Sequence, residues 1–310
     1  MKRVRMESRH SGTFRGIRNN WELYLFVFPT MLYYLIFVYM PIYGVQIAFK
    51  NFNAVKGIWG STWVGLANIE RFLNSYYFPI LIKNTLGISL YELAIGFPIP
   101  ILIALALNEL DKSRFKSFVQ TVIYAPHFIS TVVMSGMIIS FLSPTTGLVN
   151  FVLRWMGFEP IPFMMEVGWF KTIYVLSNIW QNAGWGTIIY LATLAGVDPQ
   201  QHESAIIDGA SRLQRIRYIN IPAILPTMMI ILILNSGNMM SVGFEKVYLL
   251  QNQLNIESSE VISTYVYKSG LQQAQYSFAS AVGLFNSVIN LLLLLLVNRL
   301  ARRYSETSLW

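Results

Sequence analysis

The sequence predicts an all-α, polytopic membrane protein with six transmembrane helices. Hydrophobic residues make up 54% of the 310 residues and charged residues only 12%, whereas a soluble globular domain carries about 25% charged residues. The apolar residues are concentrated in long blocks, and a bilayer core about 30 Å thick requires about 20 apolar residues in a helix. Six blocks meet this requirement, at 24–49, 84–107, 118–143, 172–195, 219–244 and 279–298.

These blocks differ in how strongly they indicate a membrane span. The last block is the strongest, because 291–296 is an unbroken run of leucines. The fourth block, 172–195, is the weakest, because it contains several side-chain amides. Between the fifth and sixth blocks, residues 258–270 are predicted to form a surface helix that ends at Gly270.

The distribution of lysine and arginine predicts the orientation of the spans. Cytoplasmic loops carry an excess of these residues, and 15 of the 23 in this chain fall in the N-terminal segment, 108–117, 196–218 and the C-terminal tail. Both termini are therefore expected in the cytoplasm, as an even number of spans requires. The expected organisation is a basic cytoplasmic or interfacial segment over 1–23, a six-helix domain over 24–298 and a cytoplasmic tail over 299–310.

Several classes of chemistry have no support in the sequence. There is no cysteine, and the three histidines, at positions 10, 127 and 202, are scattered and belong to no HExxH motif. No Gly-Lys dipeptide occurs, so a Walker A phosphate loop is absent, and no G-x-S-x-G elbow is present. We therefore expect no catalytic residue, no metal site and no cofactor bound by this chain.

The net charge of +8 does not indicate a nucleic-acid partner. The basic residues are spread over the ends of loops, as membrane orientation requires, and form no separate basic domain. The lipid bilayer is instead the expected surrounding of this chain.

The polar stretch at 198–217 has the signals of two short helices. Asp198 is suited to cap a helix that begins at Pro199, with Gln201 completing a capping box. This helix is expected to end at about Asp208, and Gly209 suits a left-handed turn after it. A second short helix would carry the arginines at 212, 215 and 217. On these residues alone, a solvated hairpin and a handle moved by a cytoplasmic partner both stay open.

Residues 203–222 resemble the EAA loop of permease subunits of binding-protein-dependent ABC importers. The family pattern is Glu-Ala-Ala, three residues, Gly, nine residues and Ile-x-Leu-Pro. This chain has Glu-Ser-Ala at 203–205, Gly209, and Ile-Asn-Ile-Pro at 219–222, with every spacing kept. The departures are Ser204 for Ala and Ile221 for Leu. The family layout spans about 24–298 and implies the type I ABC importer permease fold.

A second stretch is similar to the carbohydrate branch of that family. Residues 243–250, Gly-Phe-Glu-Lys-Val-Tyr-Leu-Leu, followed by 258–270, look like permeases of the alginate, aldouronate and multiple-sugar type. The resemblance implies a transport subunit of a bacterial cell membrane that carries a carbohydrate and is not an enzyme. The implied partners are a second homologous permease, an extracellular solute-binding protein, and two ATPase subunits that use ATP and Mg.

The resemblance also implies which residues contact the ATPase. In the family this loop forms a coupling helix that docks in a groove of an ATPase subunit. In such a contact Glu203 offers a charge to a basic partner, Ala205 permits close approach, and Gly209 sets the angle between two rods. The implied coupling residues are Glu203, Ser204, Ala205, Asp208, Gly209 and Arg212.

Polar side chains inside the predicted spans are candidates for a substrate pathway. The fourth block places two asparagines, a glutamine and a tryptophan on one helical face, at i, i+3, i+4 and i+7. Amides pair with sugar hydroxyls, and an indole covers the C–H side of a sugar ring. The candidates are Glu92, Asn178, Gln181, Asn182, Trp185, Asn235, Asn238 and Asn286.

Alternatives stay open for these residues and for the function. Amides also hydrogen-bond across membrane helices as packing contacts, and a helix-packing or backbone-bonding role is expected for His127. A permease for a non-sugar solute would share the 203–222 loop. A channel or secondary transporter would need intramembrane carboxylates for ion coupling, and only Glu92 lies well inside a predicted span.

Overall fold

The computed structural model describes residues 20–110 and 114–304. Most of the expected N-terminal segment and the last six residues of the expected tail lie outside these ranges. A short antiparallel pair joins β1 (Lys50–Asn51) to β2 (Thr62–Trp63), with Lys50 opposite Trp63. The helices are α1 (Trp21–Phe49), α2 (Gly57–Gly60), α3 (Ala67–Leu73), α4 (Tyr77–Asn108), α5 (Arg114–Phe128), α6 (Thr131–Phe141), α7 (Leu148–Trp155), α8 (Phe170–Ala195), α9 (Pro199–Ile207), α10 (Arg212–Ser236), α11 (Phe244–Leu250), α12 (Ile256–Ser259), α13 (Ile262–Tyr267) and α14 (Tyr276–Tyr304).

Among the described residues, four helices are long and apolar enough to cross a membrane: α1, α4, α10 and α14. The first, second and sixth predicted blocks fall inside α1, α4 and α14. The fourth block falls inside α8, whose 26 residues are long enough to span a membrane. Because it contains several side-chain amides, α8 is less apolar than these four helices. The fifth block is shorter than predicted, because α10 ends at Ser236 and a turn follows it.

The third block is a bent pair of helices and not one straight helix over 118–143, and the two helices together are long and apolar enough to form one span. The axes of α5 and α6 differ by 100°. Pro126 lies in a 3-10 turn at the end of α5, and a proline has no N–H to continue a helical ladder. Ser130 then starts α6 by accepting a hydrogen bond from the Val133 N–H at 3.4 Å. The chain therefore bends between Phe128 and Thr131, where an unbroken helix was predicted.

Prolines also shape three of the long helices. π-helical turns interrupt α1, α4 and α10 at Leu35–Tyr39, Glu92–Gly96 and Ile216–Asn220. A proline lies two residues beyond each turn, at positions 41, 98 and 222. Since a proline ring clashes with the carbonyl four residues earlier, a wider turn relieves the contact. Glu92 consequently lies in an irregular turn of α4.

The buried core is built around α4. One cluster joins α4 to α6, α8 and α11, a second joins it to α3, α13 and α14, and a third joins it to α8 and α10. Val261 and Ile262, expected on a surface helix, are 0% and 2% exposed. Gly270 does not end this element either, since a π-turn continues from Lys268 to Gln272. The surface-helix prediction for 258–270 was therefore wrong, because its apolar face packs into the core.

A glycine brings α8 close to α5. A Cβ at Gly184 would lie 2.1 Å from the carbonyl oxygen of Ile123, far inside contact distance. Two residues on, a Cβ at Gly186 would lie 3.3 Å from the ring of Pro100 in α4. Small residues allow membrane helices to approach in this way. They hold α8 against both neighbours at the level where its polar side chains project.

Candidate functional site

A cavity of about 570 Å³ lies between α4, α8, α10 and the turn after α10. Tyr174 and Ser89 contribute hydroxyls to the lining, and Pro100 contributes an apolar edge. Six of the eight predicted pathway residues line this cavity, namely Glu92, Asn178, Asn182, Trp185, Asn235 and Asn238.

The other two predicted pathway residues lie elsewhere. Gln181 is 8% exposed, donates to the carbonyl of Ile129 at 3.0 Å and accepts from Lys246 Nζ at 3.5 Å. It lies about 60° around α8 from Asn178, because three residues turn a helix through about 300°. Asn286 is on α14, and its buried Oδ1 has no hydrogen-bond partner among the described residues. For Gln181 the structure favours the packing alternative.

A row of polar side chains runs along one wall of the cavity. Asn178 donates from Nδ2 to a carboxylate oxygen of Glu92. Asn182 donates from Nδ2 to the Oδ1 of Asn178 at 2.9 Å and to its carbonyl at 3.2 Å. The carboxylate of α4 is therefore held by α8, and the row connects two helices through charge-assisted and neutral hydrogen bonds.

A lysine that the pathway prediction did not include lies behind this wall. Lys246 on α11 is 5% exposed, and its Nζ lies 5.7 Å from the centroid of the Tyr174 ring. Burial lowers the pKa of Lys246 to about 8, and the Glu92 carboxylate partly opposes that shift. Such shifts arise because low-dielectric surroundings disfavour the charged form, while an opposite charge nearby favours it. The sequence motif 243–250 contained this residue, but only its burial in the fold shows the perturbation.

Lys246→Met is expected to change how stability depends on pH. The pKa of Lys246 is lower in the folded protein than in the unfolded chain, so folding is penalised below pH 8 and the penalty disappears as pH rises towards 10.5. The stability of the wild type relative to the variant should therefore increase between about pH 8 and pH 10.5. Thermal unfolding of both proteins in the same detergent, at several pH values, measures the difference. A constant difference across this range would contradict the buried charged lysine.

The loop at 198–217 is a helical hairpin with defined ends. The side chain of Asp198 accepts from the N–H of Gln200 at 3.0 Å. The predicted capping box at Gln201 does not form, and a complete one is found instead between Ser211 and Gln214. Gly209 has a φ of +78°, as its predicted left-handed turn requires. The Ala210 N–H also bonds back to the Ala205 carbonyl at 2.8 Å, which is the pattern of a Schellman ending.

The implied coupling residues lie on the outside of this hairpin. Five of them are exposed and Ala205 is half-buried: the exposed ones are Glu203, Ser204, Asp208, Gly209 and Arg212. Two apolar side chains were not predicted here, Ile207 at 85% exposure and Leu213 at 74%. Apolar groups exposed at the tip of a polar hairpin are typical of a partner contact. Their position on either side of the Gly209 turn was the signal that could have identified them.

The hairpin is also tied to the end of α4, which the sequence did not indicate. Arg215 Nη2 lies 3.9 Å from a carboxylate oxygen of Glu109, and the Asn220 amide donates to the other at 3.4 Å. Ile216 packs on the core cluster shared by α4, α8 and α10. A displacement of the hairpin would therefore act on α4, which also carries Glu92.

Comparison with known proteins decides the family. The family model described as "Binding-protein-dependent transport system inner membrane component" matches residues 96–306, which include the whole 203–222 loop. The chain belongs to this family. It is thus a polytopic inner-membrane transport component with the type I ABC permease fold, and not an enzyme.

Two relatives from Bacillus subtilis (strain 168) extend the match over almost the whole chain. The polygalacturonan/rhamnogalacturonan transport system permease protein YteP is 44% identical over 93% of this chain and 90% of its own length. Protein LplB is 41% identical over 94% of this chain and 92% of its own length.

Two solved structures similar to this permease are of a bacterial ABC transporter involved in the import of the acidic polysaccharide alginate. One chain superposes with a TM-score of 0.87 and 41% identity, covering 94% of this permease and 98% of that chain. A second, from a complex with an alginate pentasaccharide-bound periplasmic protein, has a TM-score of 0.88 and 40% identity, covering 96% and 100%.

Proposed function

We propose that this permease carries an oligosaccharide across the membrane through the cavity between α4, α8 and α10. The observation that supports this most is the lining of the cavity. It combines one carboxylate, four asparagine amides and the indole of Trp185. Polar groups that orient a ligand beside an apolar, aromatic surface are typical of small-molecule sites, and this combination matches the hydroxyls and C–H faces of a sugar.

The names of the relatives support the same class of substrate. YteP is named for polygalacturonan and rhamnogalacturonan, and two further relatives are named for arabinooligosaccharides and galactooligosaccharides. The alginate transporter adds an acidic polysaccharide. We assign to this permease the class that these names share, an oligosaccharide.

The permease works in an assembly in this proposal. An extracellular binding protein delivers the sugar, and a second homologous permease completes the pathway. The apolar α1 has no buried residue over Trp21–Tyr34, which leaves a surface for lipid or for that second permease. Two ATPase subunits bind ATP and Mg, which this chain does not bind itself. Their movement reaches the cavity through the 198–217 hairpin, which together with both termini lies in the cytoplasm.

Trp185→Ala tests the pathway, with Trp180→Ala as the matched control. Both tryptophans are on α8 and about half exposed, at 50% and 48%, but only Trp185 lines the cavity. We expect Trp185→Ala to lower sugar uptake about tenfold, the size typical of an aromatic contact residue. Trp180→Ala should leave uptake within about twofold. The measurement is uptake by the reconstituted importer, with subunit assembly checked by size-exclusion chromatography.

Other outcomes separate the alternatives. Loss of assembly in Trp185→Ala, but not in Trp180→Ala, would assign Trp185 to packing. Uptake of a non-sugar solute by the wild type, with no sugar transported, would assign the permease to another substrate class. Uptake without ATP would indicate a channel or secondary transporter.

A further inference from the structure

His127 lies at the break between α5 and α6, immediately behind the cavity wall. Its imidazole ring stacks on the indole of Trp185, with ring centroids 4.5 Å apart and planes inclined by 7°. Its Nδ1 lies 3.1 Å from the Oδ1 of Asn182. The histidine is not part of the cavity lining, yet it contacts two residues that are. His127 therefore packs between α5 and α8, against two of the side chains that form the cavity wall.

The contact with Asn182 completes a polar row that ends at Glu92. An amide can turn either its oxygen or its NH₂ towards a neighbour. In this row the Nδ1–H of His127 donates to Asn182, whose NH₂ donates to Asn178, whose NH₂ donates to Glu92. An ionised carboxylate only accepts. Glu92 therefore sets the direction of the row, and the Nδ1–H of His127 satisfies the Asn182 oxygen at the other end.

This direction determines what the wall offers to a ligand. The NH₂ of Asn182 is occupied by the carbonyl and Oδ1 of Asn178. The capacity left free lies mainly on oxygens, those of the Glu92 carboxylate and of the two amides. A wall rich in free acceptors pairs with groups that donate, such as hydroxyls, and repels a second carboxylate.

The stacking contact fixes the plane of Trp185. The ring of His127 covers one face of the indole, and Phe128 meets it nearly perpendicularly, with centroids 6.1 Å apart and planes at 84°. Trp185 nevertheless remains half exposed and lines the cavity. With one face covered, the indole offers only its other face, which is enough for one sugar ring.

We propose that His127 is a positioning residue of the transport pathway, which holds the Asn182 end of the Asn182–Asn178–Glu92 row in place and sets the plane of Trp185. This wall then recognises the hydroxyl donors and a C–H face of one sugar ring. An acidic sugar would turn its carboxylate away from the wall. The inference rests on the proposed carbohydrate function and adds how the sugar is oriented.

Two substitutions separate the two contacts of His127. His127→Asn keeps a donor in the position of Nδ1 but removes the ring, whereas His127→Phe keeps a stacking ring but removes the donor. The assay is uptake of trigalacturonate and of neutral arabinotriose per ATP hydrolysed, by the complete importer in liposomes with saturating binding protein. These probes follow the substrates in the relatives' names.

We expect His127→Phe to lower uptake per ATP about tenfold for both sugars, because the Oδ1 of Asn182 loses its donor and the amide is no longer held in place. His127→Asn should retain uptake within about threefold. Adding His127→Phe to Asn182→Ala should cause no further loss, since both act through the same row. Wild-type uptake in His127→Phe, or losses that multiply in the double variant, would overturn the proposal.

A second readout keeps this inference separate from the proposed function. If the wild type transports neither sugar, the carbohydrate assignment fails for these probes, and the placement of Trp185 can still be measured. The ¹⁹F resonance of 5-fluorotryptophan at position 185, assigned by its loss in Trp185→Phe, should shift in His127→Asn and stay close to wild type in His127→Phe. A resonance that is the same in all three proteins would overturn the stacking role.

Discussion

Glu203→Lys is expected to abolish sugar-stimulated ATP hydrolysis and uptake by the assembled importer, while the binding protein still captures its sugar. Glu203 is exposed on α9 and has no ion pair with another described residue, so its charge is available to a partner. Reversing it places a cation against a surface that we propose to be basic, and such like-charge contacts cost several kcal/mol. The measurements are ATPase activity with and without loaded binding protein, and uptake in liposomes.

The matched control for this change is Gln201→Lys. Gln201 is exposed on the same helix, about 160° around its axis from Glu203, so the same cation is placed on the opposite side. We expect stimulated ATPase activity within about twofold of the wild type. Full activity in Glu203→Lys, or equal loss in both variants, would contradict a specific contact at Glu203.

Gly184→Ala is expected to destabilise the permease by about 3 kcal/mol or more. The added Cβ would lie 2.1 Å from the backbone oxygen of Ile123, and a backbone atom cannot move aside as a flexible side chain can. α5 and α8 would have to separate, which would also displace His127 from Trp185. The thermal unfolding midpoint of the purified protein should fall, and assembly with the partner permease should be reduced.

Gly136→Ala controls for the loss of a glycine in a membrane helix. Gly136 is on α6, has no positive φ, and a Cβ there would meet nothing within 4 Å. A stability change within about 0.5 kcal/mol is expected, as for surface positions without special features. Equal destabilisation by both alanines would show that the α5–α8 contact is less close than described.

Local signals made the coupling hairpin predictable from sequence. Asp198, Pro199 and Gly209 each act through their own backbone or through neighbours a few residues away, so the sequence contains nearly all the information. The capping box predicted at Gln201 is absent, and one forms at Gln214 instead. A capping box requires the glutamine side chain to reach back to the capping residue, and the correct spacing in sequence does not ensure this contact. The tie between Glu109 and Arg215 joins residues more than a hundred positions apart and had no local signal.

The cavity was only partly predictable for the same reason. Helical periodicity placed Asn178, Asn182 and Trp185 on one face, and they do line the cavity together with Glu92. Periodicity could not exclude Gln181, because its partners come from distant parts of the chain. They are Ile129, between α5 and α6, and Lys246 on α11. Hydropathy predicted one straight helix over 118–143, because apolar residues continue on both sides of Pro126. Hydropathy does not report the bend of the backbone at this point.

The most direct test of the account is the accessibility of a single cysteine at Ala205. The natural sequence has no cysteine, so Ala205→Cys gives one reporting thiol on the half-buried side of α9. We predict that a membrane-impermeant maleimide labels it in inside-out vesicles but not in intact cells, and that bound ATPase subunits protect it. Labelling from the outside of intact cells, or labelling that the ATPase subunits do not change, would contradict a hairpin that connects a cytoplasmic ATPase to the sugar pathway.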